Sequence, residues 1–292
     1  MAVEVADPSV VLAARVGGAA GGRRRRPRNW PLLIGGALLG VIALACIAAP
    51  LLTPYDPIAQ NIVNQGLPPF SPGHPLGTDA PFGRDVLSRI LYGGRVDLLI
   101  GFGGTGITIL VGTLVGLIAG YVGGRLDAVL MRIVDIFFAF PFLVLAIVAM
   151  LGPSLFNLFI AIWAVGWVSY ARIIRGETLV AKQQEYVLAA RALGYNPVRI
   201  MVRHILPNVF SAALIFSMAD AVGNILLGAA LGYLGLGVPP PSPEWGAMIA
   251  DGQNYMVTAW WVPTVPGLAI VLVGVALSLI GDGLADILRA KG

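Results

Sequence analysis

Six long apolar stretches constrain this chain more than any other feature of its sequence. Each is close to the roughly 20 residues that an α-helix needs to cross about 30 Å of membrane hydrocarbon. Charged residues make up 12% of the chain, against about 25% in a typical soluble domain. The sequence therefore predicts an all-α integral membrane protein with six transmembrane helices. The predicted spans are residues 32–52, 98–122, 128–151, 155–171, 207–232 and 262–281.

The uneven distribution of positive charge between the loops predicts the orientation of these helices. Lysine and arginine concentrate in the cytoplasmic loops of membrane proteins. With the N-terminus inside, only Arg84, Arg89 and Arg95 of the nineteen lysine and arginine residues lie outside. Both termini are therefore predicted to be cytoplasmic. The net charge of +4 then reflects membrane topology, and we expect no binding of nucleic acid.

The residues that usually carry catalysis are few and scattered. Cys46 is the one cysteine, and the two histidines are His74 and His204. Neither Lys182 nor Lys291 follows a glycine, which excludes the GxxxxGK[ST] loop that holds ATP phosphates. We therefore expect no catalytic residue, no metal site and no cofactor in this chain.

The N-terminal third of the chain divides into three segments. Residues 1–31 are rich in arginine and glycine, and we expect a disordered cytoplasmic tail that contacts anionic membrane lipid. Residues 32–52 form the first transmembrane helix. Residues 53–97 form an external loop that is rich in proline at first. Its pattern then predicts a short amphipathic helix over 84–92, lying at the outer membrane surface.

The remaining part, residues 98–288, is predicted to be a five-helix core with one long loop on each side. The cytoplasmic loop is 176–207 and the external loop is 233–261. In the external loop, a short helix is predicted over 245–255. Four aromatic residues there suit a belt at the membrane surface: Trp245, Tyr255, Trp260 and Trp261.

The cytoplasmic loop has the pattern of two helices separated by a tight turn. Strong helix formers fill residues 177–193, and Gly194 stands where a glycine commonly ends a helix. Asn196 and Pro197 suit the cap and first position of a second helix, and Pro207 is expected to break the chain before the fifth span. The pattern fits a surface for another protein and a helical elbow lying on lipid equally well.

Polar side chains inside the predicted spans mark candidate functional positions, because they are costly in lipid. Asp135 shares a helix face with Arg132, so it either forms an ion pair or lines a transport path. Asp220 and Asn224 lie one turn apart, with no basic residue in the same span, and the same two interpretations apply. Glycines four residues apart predict close helix packing: Gly112, Gly116 and Gly120.

The cytoplasmic loop also resembles a known motif. Residues 185–194 (EYVLAARALG) and 203–208 (RHILPN) are similar to the EAA loop of bacterial ABC importer permeases. Leu188 and His204 depart from the general motif, but both are normal for the dipeptide, oligopeptide and nickel branch. Other stretches resemble that branch in the right order: HPLGTD at 74–79, GRDVLSR at 83–89, RIVD at 132–135, LGLGV at 234–238 and WGAM at 245–248.

This resemblance implies an ABC type I importer permease fold in the bacterial inner membrane, most like the "C" permease of dipeptide or oligopeptide systems. It also implies partners: a second homologous permease, two ATP-binding subunits that hold ATP and Mg, and an extracytoplasmic solute-binding protein. The residues that it implies for coupling to the ATPase are Glu185, Ala189, Ala190, Arg191, Gly194, Leu206 and Pro207.

The resemblance leaves the cargo partly open. Dipeptides or oligopeptides are the leading expectation, and nickel, glutathione or another small ligand of the same branch is the alternative. A secondary transporter driven by an ion gradient is the alternative from a different class. That alternative requires transport by this chain alone.

Overall fold

The computed structural model describes residues 29–140 and 143–289, and the described ranges contain helices and no β-strand. The predicted tail, residues 1–31, lies almost wholly outside the described residues. The helices are α1 Trp30–Ile47, α2 Ala49–Leu52, α3 Val86–Val122, α4 Gly124–Phe138, α5 Leu143–Leu151, α6 Leu155–Ala181, α7 Glu185–Ala192, α8 Pro197–Ile200, α9 Leu206–Tyr233, α10 Trp245–Gly252 and α11 Trp261–Arg289.

Five continuous helical segments in the described part are long and apolar enough to cross a membrane. They comprise α1, α3, α6, α11 and the segment Pro197–Tyr233, which contains α8 and α9. The third predicted span, 128–151, is instead divided into α4 and α5, which meet at 70° and together make a sixth candidate span. Pro141 lies between them in the sequence, and proline interrupts a helix because it lacks an amide hydrogen. The predicted all-α, multi-span architecture is confirmed.

Helix α3 begins earlier than the second predicted span, which started at residue 98. The separate amphipathic helix expected over 84–92 is wrong, because residues 86–92 form the first turns of α3. The predicted boundary placed Arg95 and Asp97 in the external loop. Both lie inside α3 and contact other parts of the protein, although Asp97 Oδ1 has no hydrogen-bond partner in the described structure.

Arg95 and Asp97 connect α3 to its neighbours. The Arg95 guanidinium donates to the carbonyl oxygens of Cys46 and Ile47, at 2.6 and 2.8 Å. Carbonyl groups in the last turn of a helix lack partners within that helix, so Arg95 caps α1. The buried Asp97 carboxylate accepts a 3.0 Å hydrogen bond from the Trp245 amide at the start of α10.

Helices α3 and α6 form the most extensive helix pair of the described structure. Their contact follows the glycine stripe of α3, as the sequence predicts. A Cβ at Gly112 would overlap the Trp167 carbonyl oxygen, and one at Gly120 would lie 2.7 Å from the Thr178 Cβ. Small residues of this kind let two helix backbones approach closely in a membrane. Helix α9 packs on α3, and α11 packs on α9 and holds α1 at the edge of the bundle.

A partly buried ion pair joins the two external loops, and buried polar contacts hold the first loop together. Arg84 contacts Asp79 within the first loop, and it donates to Asp251 of the second at 2.9 Å. His74 contacts Asp85 at 2.8 Å. The side chains expected on the polar face of a surface helix are therefore buried where the two external loops pack together, a region called the external cap below. This burial explains why the amphipathic pattern was misleading.

The expected aromatic belt is wrong for two of its four members. Trp245 and Trp261 are 1% and 5% exposed, because their indole nitrogens donate to the carbonyl oxygens of Ile90 and Thr78 inside the cap. Trp260 is exposed, as a belt residue should be. The short helix predicted over 245–255 is present as α10 followed by a 3-10 turn.

Glu244 caps the start of α10 from a fully buried position. Its two carboxylate oxygens accept hydrogen bonds from the amides of Gly246 and Ala247, at 2.6 and 2.8 Å. Such a cap satisfies donors that have no partner in the first turn of a helix. Burial raises the pKa of the Glu244 carboxyl group, because it removes water from the charged form.

Gly116→Leu should force α3 away from α6. A Cβ at Gly116 would already lie 2.5 Å from the Ala171 carbonyl oxygen and 2.9 Å from the Ile174 Cβ, and overpacking of a core costs about 1–3 kcal/mol. We expect a lower melting temperature of the purified protein in detergent. Gly106→Leu is the control, because a Cβ at Gly106 meets nothing within 4 Å. Equal melting temperatures for the two variants would contradict the close packing.

Candidate functional site

The cytoplasmic loop of the sequence is a compact helical connection between α6 and α9. The single helix expected over 177–193 is divided, because α6 runs to Ala181 and α7 begins at Glu185. Lys182 lies in the turn between them, and its ammonium group donates to the Gly120 carbonyl oxygen at 2.7 Å. This bond satisfies a carbonyl at the end of α3 and fixes the point at which α6 stops.

The turn after α7 has the geometry that the sequence predicts. Gly194 has a φ of +76°, a backbone conformation that costs other residues roughly 1–2 kcal/mol. The Gly194 amide donates to the Arg191 carbonyl and the Tyr195 amide donates to the Ala190 carbonyl, which is the Schellman pattern. The prediction of a glycine-terminated helix is confirmed.

The second helix of the loop also begins as predicted. The Asn196 side chain accepts a 2.7 Å hydrogen bond from the Arg199 amide, and Pro197 occupies the first turn of α8. A side-chain acceptor before the first turn and a proline within it are both favourable at a helix start. The chain therefore reverses direction between α7 and α8 through well-formed local structure.

Pro207 does not break the chain before α9, and that prediction is wrong. Residues Met201–Ile205 form a π-helical turn, in which the Leu206 amide donates to the Met201 carbonyl. A wider turn accommodates the missing amide and the bulk of a proline without ending the helix. The segment Pro197–Tyr233 is consequently one continuous helical rod that begins in the loop.

One face of α7 is buried against the bundle. Val187 and Ala190 are 0% and 3% exposed, and they belong to a core cluster that includes Ile200, Ile205 and Val209. The expectation that Ala190 faces another protein is therefore wrong. A small residue at position 190 lets α7 lie flat on the bundle.

The opposite face of α7 is open. It carries Glu185, Ala189 and Arg191 of the residues predicted for coupling, and Gly194 is exposed at its end. Of the remaining two, Pro207 is exposed and Leu206 is half-buried. Most of the predicted residues are thus exposed, whereas Ala190 is packed beneath α7 against the bundle.

This surface is more apolar than the motif indicated. Sequence reasoning missed five side chains, because their helical spacing looks the same whether they face the bundle or solvent. They extend the open face across the turn and are 41–73% exposed: Tyr186, Leu188, Leu193, Val198 and Val202. Exposed apolar groups that cluster around a rigid turn are typical of a protein contact.

Two contacts fasten α7 to other helices of the bundle. The Arg191 guanidinium lies over the ring of Tyr121, 5.2 Å from its centroid, at the end of α3. The Tyr186 hydroxyl accepts a 3.0 Å hydrogen bond from the Asn208 amide nitrogen at the start of α9. Helix α7 is therefore in direct contact with the ends of both α3 and α9.

Asp135 pairs with a different arginine from the one expected. Its Oδ1 lies 2.8 Å from the Arg172 guanidinium on α6, so the pair with Arg132 is wrong. Helix α6 lies beside α4, and Arg172 also stacks over the Phe138 ring at 4.1 Å. Both charged groups are exposed. A role for Asp135 in the transport path stays a prediction.

Asp220 and Asn224 lie together in a polar cluster between α3, α6 and α9. Asp220 Oδ2 accepts hydrogen bonds from Tyr170 at 3.0 Å, Thr105 at 3.2 Å and Asn224 at 3.3 Å. Asn224 also donates to the Thr105 hydroxyl. Separately, the described residues contain no group of three or more histidine, cysteine or acidic residues that could hold a metal ion.

Comparison with known proteins assigns the chain to a family. Residues 112–291 match the model described as "Binding-protein-dependent transport system inner membrane component". The chain belongs to this family. Residues 23–69 match the N-terminal TM domain of oligopeptide transport permease C. The chain is thus a multi-pass permease component of a bacterial inner membrane, as its sequence predicts.

Individual relatives of this permease are similar over almost their whole length. The probable D,D-dipeptide transport system permease protein of Escherichia coli K12 is 42% identical, over 90% of this chain and 89% of the relative. The di/tripeptide transport system permease protein of Pseudomonas aeruginosa is 41% identical, over 88% of each chain. The glutathione transport system permease protein of Pectobacterium atrosepticum is 42% identical, over 87% of this chain and 85% of the relative.

Ala190→Leu and Ala189→Leu should separate the two faces of α7. Ala190 is packed in the core, so added volume there should destabilise the permease by about 1–3 kcal/mol. Ala189 is exposed, and surface changes usually lie within about 0.5 kcal/mol. Thermal unfolding of the purified permease measures both. A larger loss for Ala189→Leu than for Ala190→Leu would contradict the orientation of α7.

Proposed function

We propose that this chain is the permease subunit of an ATP-driven ABC importer of peptides and that α7 docks on a separate ATPase. The observation that carries the proposal is the open apolar surface around α7, held on a helix that is rigidly fastened to the bundle. The peptide cargo is proposed from relatives, which are about 40% identical along most of the chain and are named as dipeptide or di/tripeptide permeases.

An ATPase partner fits both the sequence and the shape of the loop. The sequence has no phosphate-binding loop, so ATP and Mg would be bound by two partner subunits. A short helix that presents an apolar face suits a groove on another protein. Leu188 and Leu193 would enter the groove, and the exposed Glu185 and Arg191 would lie at its edge.

The mechanism follows from the attachments of α7. Closure of the ATPase subunits around ATP would displace the helix. The buried Val187 and Ala190 would carry that movement into the bundle, together with the contacts to Tyr121 and Asn208. Interfaces and packed cores respond to such displacements by switching between discrete arrangements. The cargo would pass between this chain and a second homologous permease, after delivery by an extracytoplasmic solute-binding protein.

Glutathione is a second candidate cargo. The Pectobacterium atrosepticum relative is named for glutathione transport and is as similar to this chain as the dipeptide relatives are. Glutathione is itself a modified tripeptide with a primary ammonium group and carboxylates. Uptake of a radiolabelled dipeptide and of glutathione, in vesicles holding the assembled transporter and ATP, compares the two cargoes. Uptake by this chain alone, driven by an ion gradient, would contradict the ATP-driven proposal.

Leu188→Asp should weaken binding of the ATPase subunits. Leu188 is 50% exposed, and a carboxylate buried in an apolar groove loses hydration without gaining a partner. We expect less ATPase to co-purify with the permease. Gln183→Asp is the matched control, because Gln183 is an exposed polar residue just before α7. Equal recovery of ATPase with Leu188→Asp and wild type would contradict docking through α7.

Gly194→Val should uncouple ATP hydrolysis from transport. Valine is strained at a φ of +76°, so the turn should distort while the spans stay intact. We expect the number of peptides moved per ATP hydrolysed to fall several-fold, with normal amounts of permease in the membrane. Gly176→Val is the control, because Gly176 lies within α6 and a Cβ there meets nothing within 4 Å. An unchanged ratio for Gly194→Val would count against the turn as a coupling element.

A further inference from the structure

Asp220 is an intramembrane carboxylate without a cationic partner in the described part of the chain. Lysine, arginine and histidine residues there form their ion pairs with other acidic residues. Its neighbours are neutral donors, namely Tyr170, Thr105 and Asn224. A charged side chain within a membrane-spanning segment is costly and usually faces a water-filled cavity or a partner charge. Asp220 therefore has neutral hydrogen-bond donors and no positively charged partner among the described residues.

The hydrogen bonds are distributed unevenly over the two carboxylate oxygens. All three donors bind Oδ2, and the described residues offer no hydrogen bond to Oδ1. The donors themselves are buried, whereas Asp220 is only half-buried. The contacts to Oδ2 hold Asp220 against α3 and α6. One carboxylate oxygen is thus fixed in place, and Oδ1 has no hydrogen-bond partner among the described residues.

The helix surface beside Asp220 is open enough for a ligand to approach. Ala219 and Gly223 are exposed on α9, and a Cβ at Gly223 would meet nothing within 4 Å. Gly223 follows Asp220 by three residues and therefore lies on the same face of the helix. A group that moves along this face would pass beside Asp220 without meeting a bulky side chain at position 219 or 223.

We propose that Asp220 binds the primary ammonium group of the cargo as it passes this surface, with Tyr170, Thr105 and Asn224 as positioning residues. This inference rests on the proposed peptide import, because free peptides carry such a group. An ammonium ion supplies the charge that the site lacks, and its hydrogen atoms suit an unoccupied carboxylate oxygen. Asp220 would thus contribute to the choice of cargo within the membrane.

Asp220→Asn is the direct test, because the amide is isosteric with the carboxylate. Its oxygen can still accept hydrogen bonds from the three donors, and only the charge at the open position is lost. In vesicles with the complete transporter, we measure the initial rate of dialanine uptake at a concentration well below saturation. We expect this rate to fall about tenfold, because one charge-assisted hydrogen bond to the peptide is lost. Ser217→Ala is the control, since Ser217 is buried in the same helix and its hydroxyl donates to the Leu214 carbonyl oxygen, away from Asp220.

A labelling experiment tests the site without relying on delivery of a peptide. Gly223→Cys places a thiol beside Asp220, and the buried Cys46 is replaced by alanine. Cationic and anionic methanethiosulfonates are then compared in the nucleotide-free and the vanadate-trapped transporter. We expect the cationic reagent to react faster, and Asp220→Asn to lower the ratio of the two rates several-fold, because a nearby negative charge attracts cations. Asp220→Glu should preserve the preference.

The outcomes separate this inference from the proposed function. If the wild-type transporter takes up dialanine but Asp220→Asn leaves uptake and the labelling ratio unchanged, the ammonium site is wrong and peptide import stands. If the wild-type transporter takes up no peptide although its labelling ratio depends on Asp220, the site binds cations of another kind and the peptide proposal fails. Absence of labelling in both nucleotide states would overturn the open path beside Asp220. Loss of assembly in Asp220→Asn, with a basic residue of the partner permease cross-linking to position 220, would identify a structural ion pair instead.

Discussion

The close contact between α3 and α6 supports the other features of this protein. Gly112, Gly116 and Gly120 bring the two backbones together, and dispersion forces at such distances hold helices together where the hydrophobic effect is weak. The pair then provides fixed points both in the middle of the membrane and at the cytoplasmic end. Thr105 and Tyr170 donate hydrogen bonds to Asp220, and Lys182 joins the cytoplasmic ends of α3 and α6.

The second structural requirement is continuity between the cytoplasmic loop and the membrane core. The helical rod Pro197–Tyr233 begins beside α7 and contains Asp220. From Ile205 to Asp220 the helix rises about 22 Å at roughly 1.5 Å per residue. In the proposed mechanism, a movement of α7 would reach the polar cluster around Asp220 through this helical rod and through α3. The π-helical turn is what makes this continuity possible despite Pro207.

Much of this arrangement could be predicted from the sequence because it depends on local chemistry. Apolar length predicts the spans, and Gly194 and Asn196 predict the turn since their backbone and capping preferences act within a few residues. Contacts between distant segments were not predictable in this way. The partner of Asp135, the inward orientation of Ala190 and the burial of Trp245 depend on neighbours far away in the chain. Charge was the most misleading local signal, because Arg95 and Asp97 lie inside a helix, where they form hydrogen bonds with α1 and with the start of α10.

Amide hydrogen exchange across Glu185–Ala192 would test docking through α7 most directly. The measurement compares the purified permease with the transporter assembled with its ATPase subunits, both in the same detergent. An open helix face that enters a groove should become at least roughly tenfold more protected, since local opening then requires the partner to leave. Equal exchange of α7 in the two samples, with protection appearing elsewhere on the cytoplasmic surface, would contradict the proposed role of this helix.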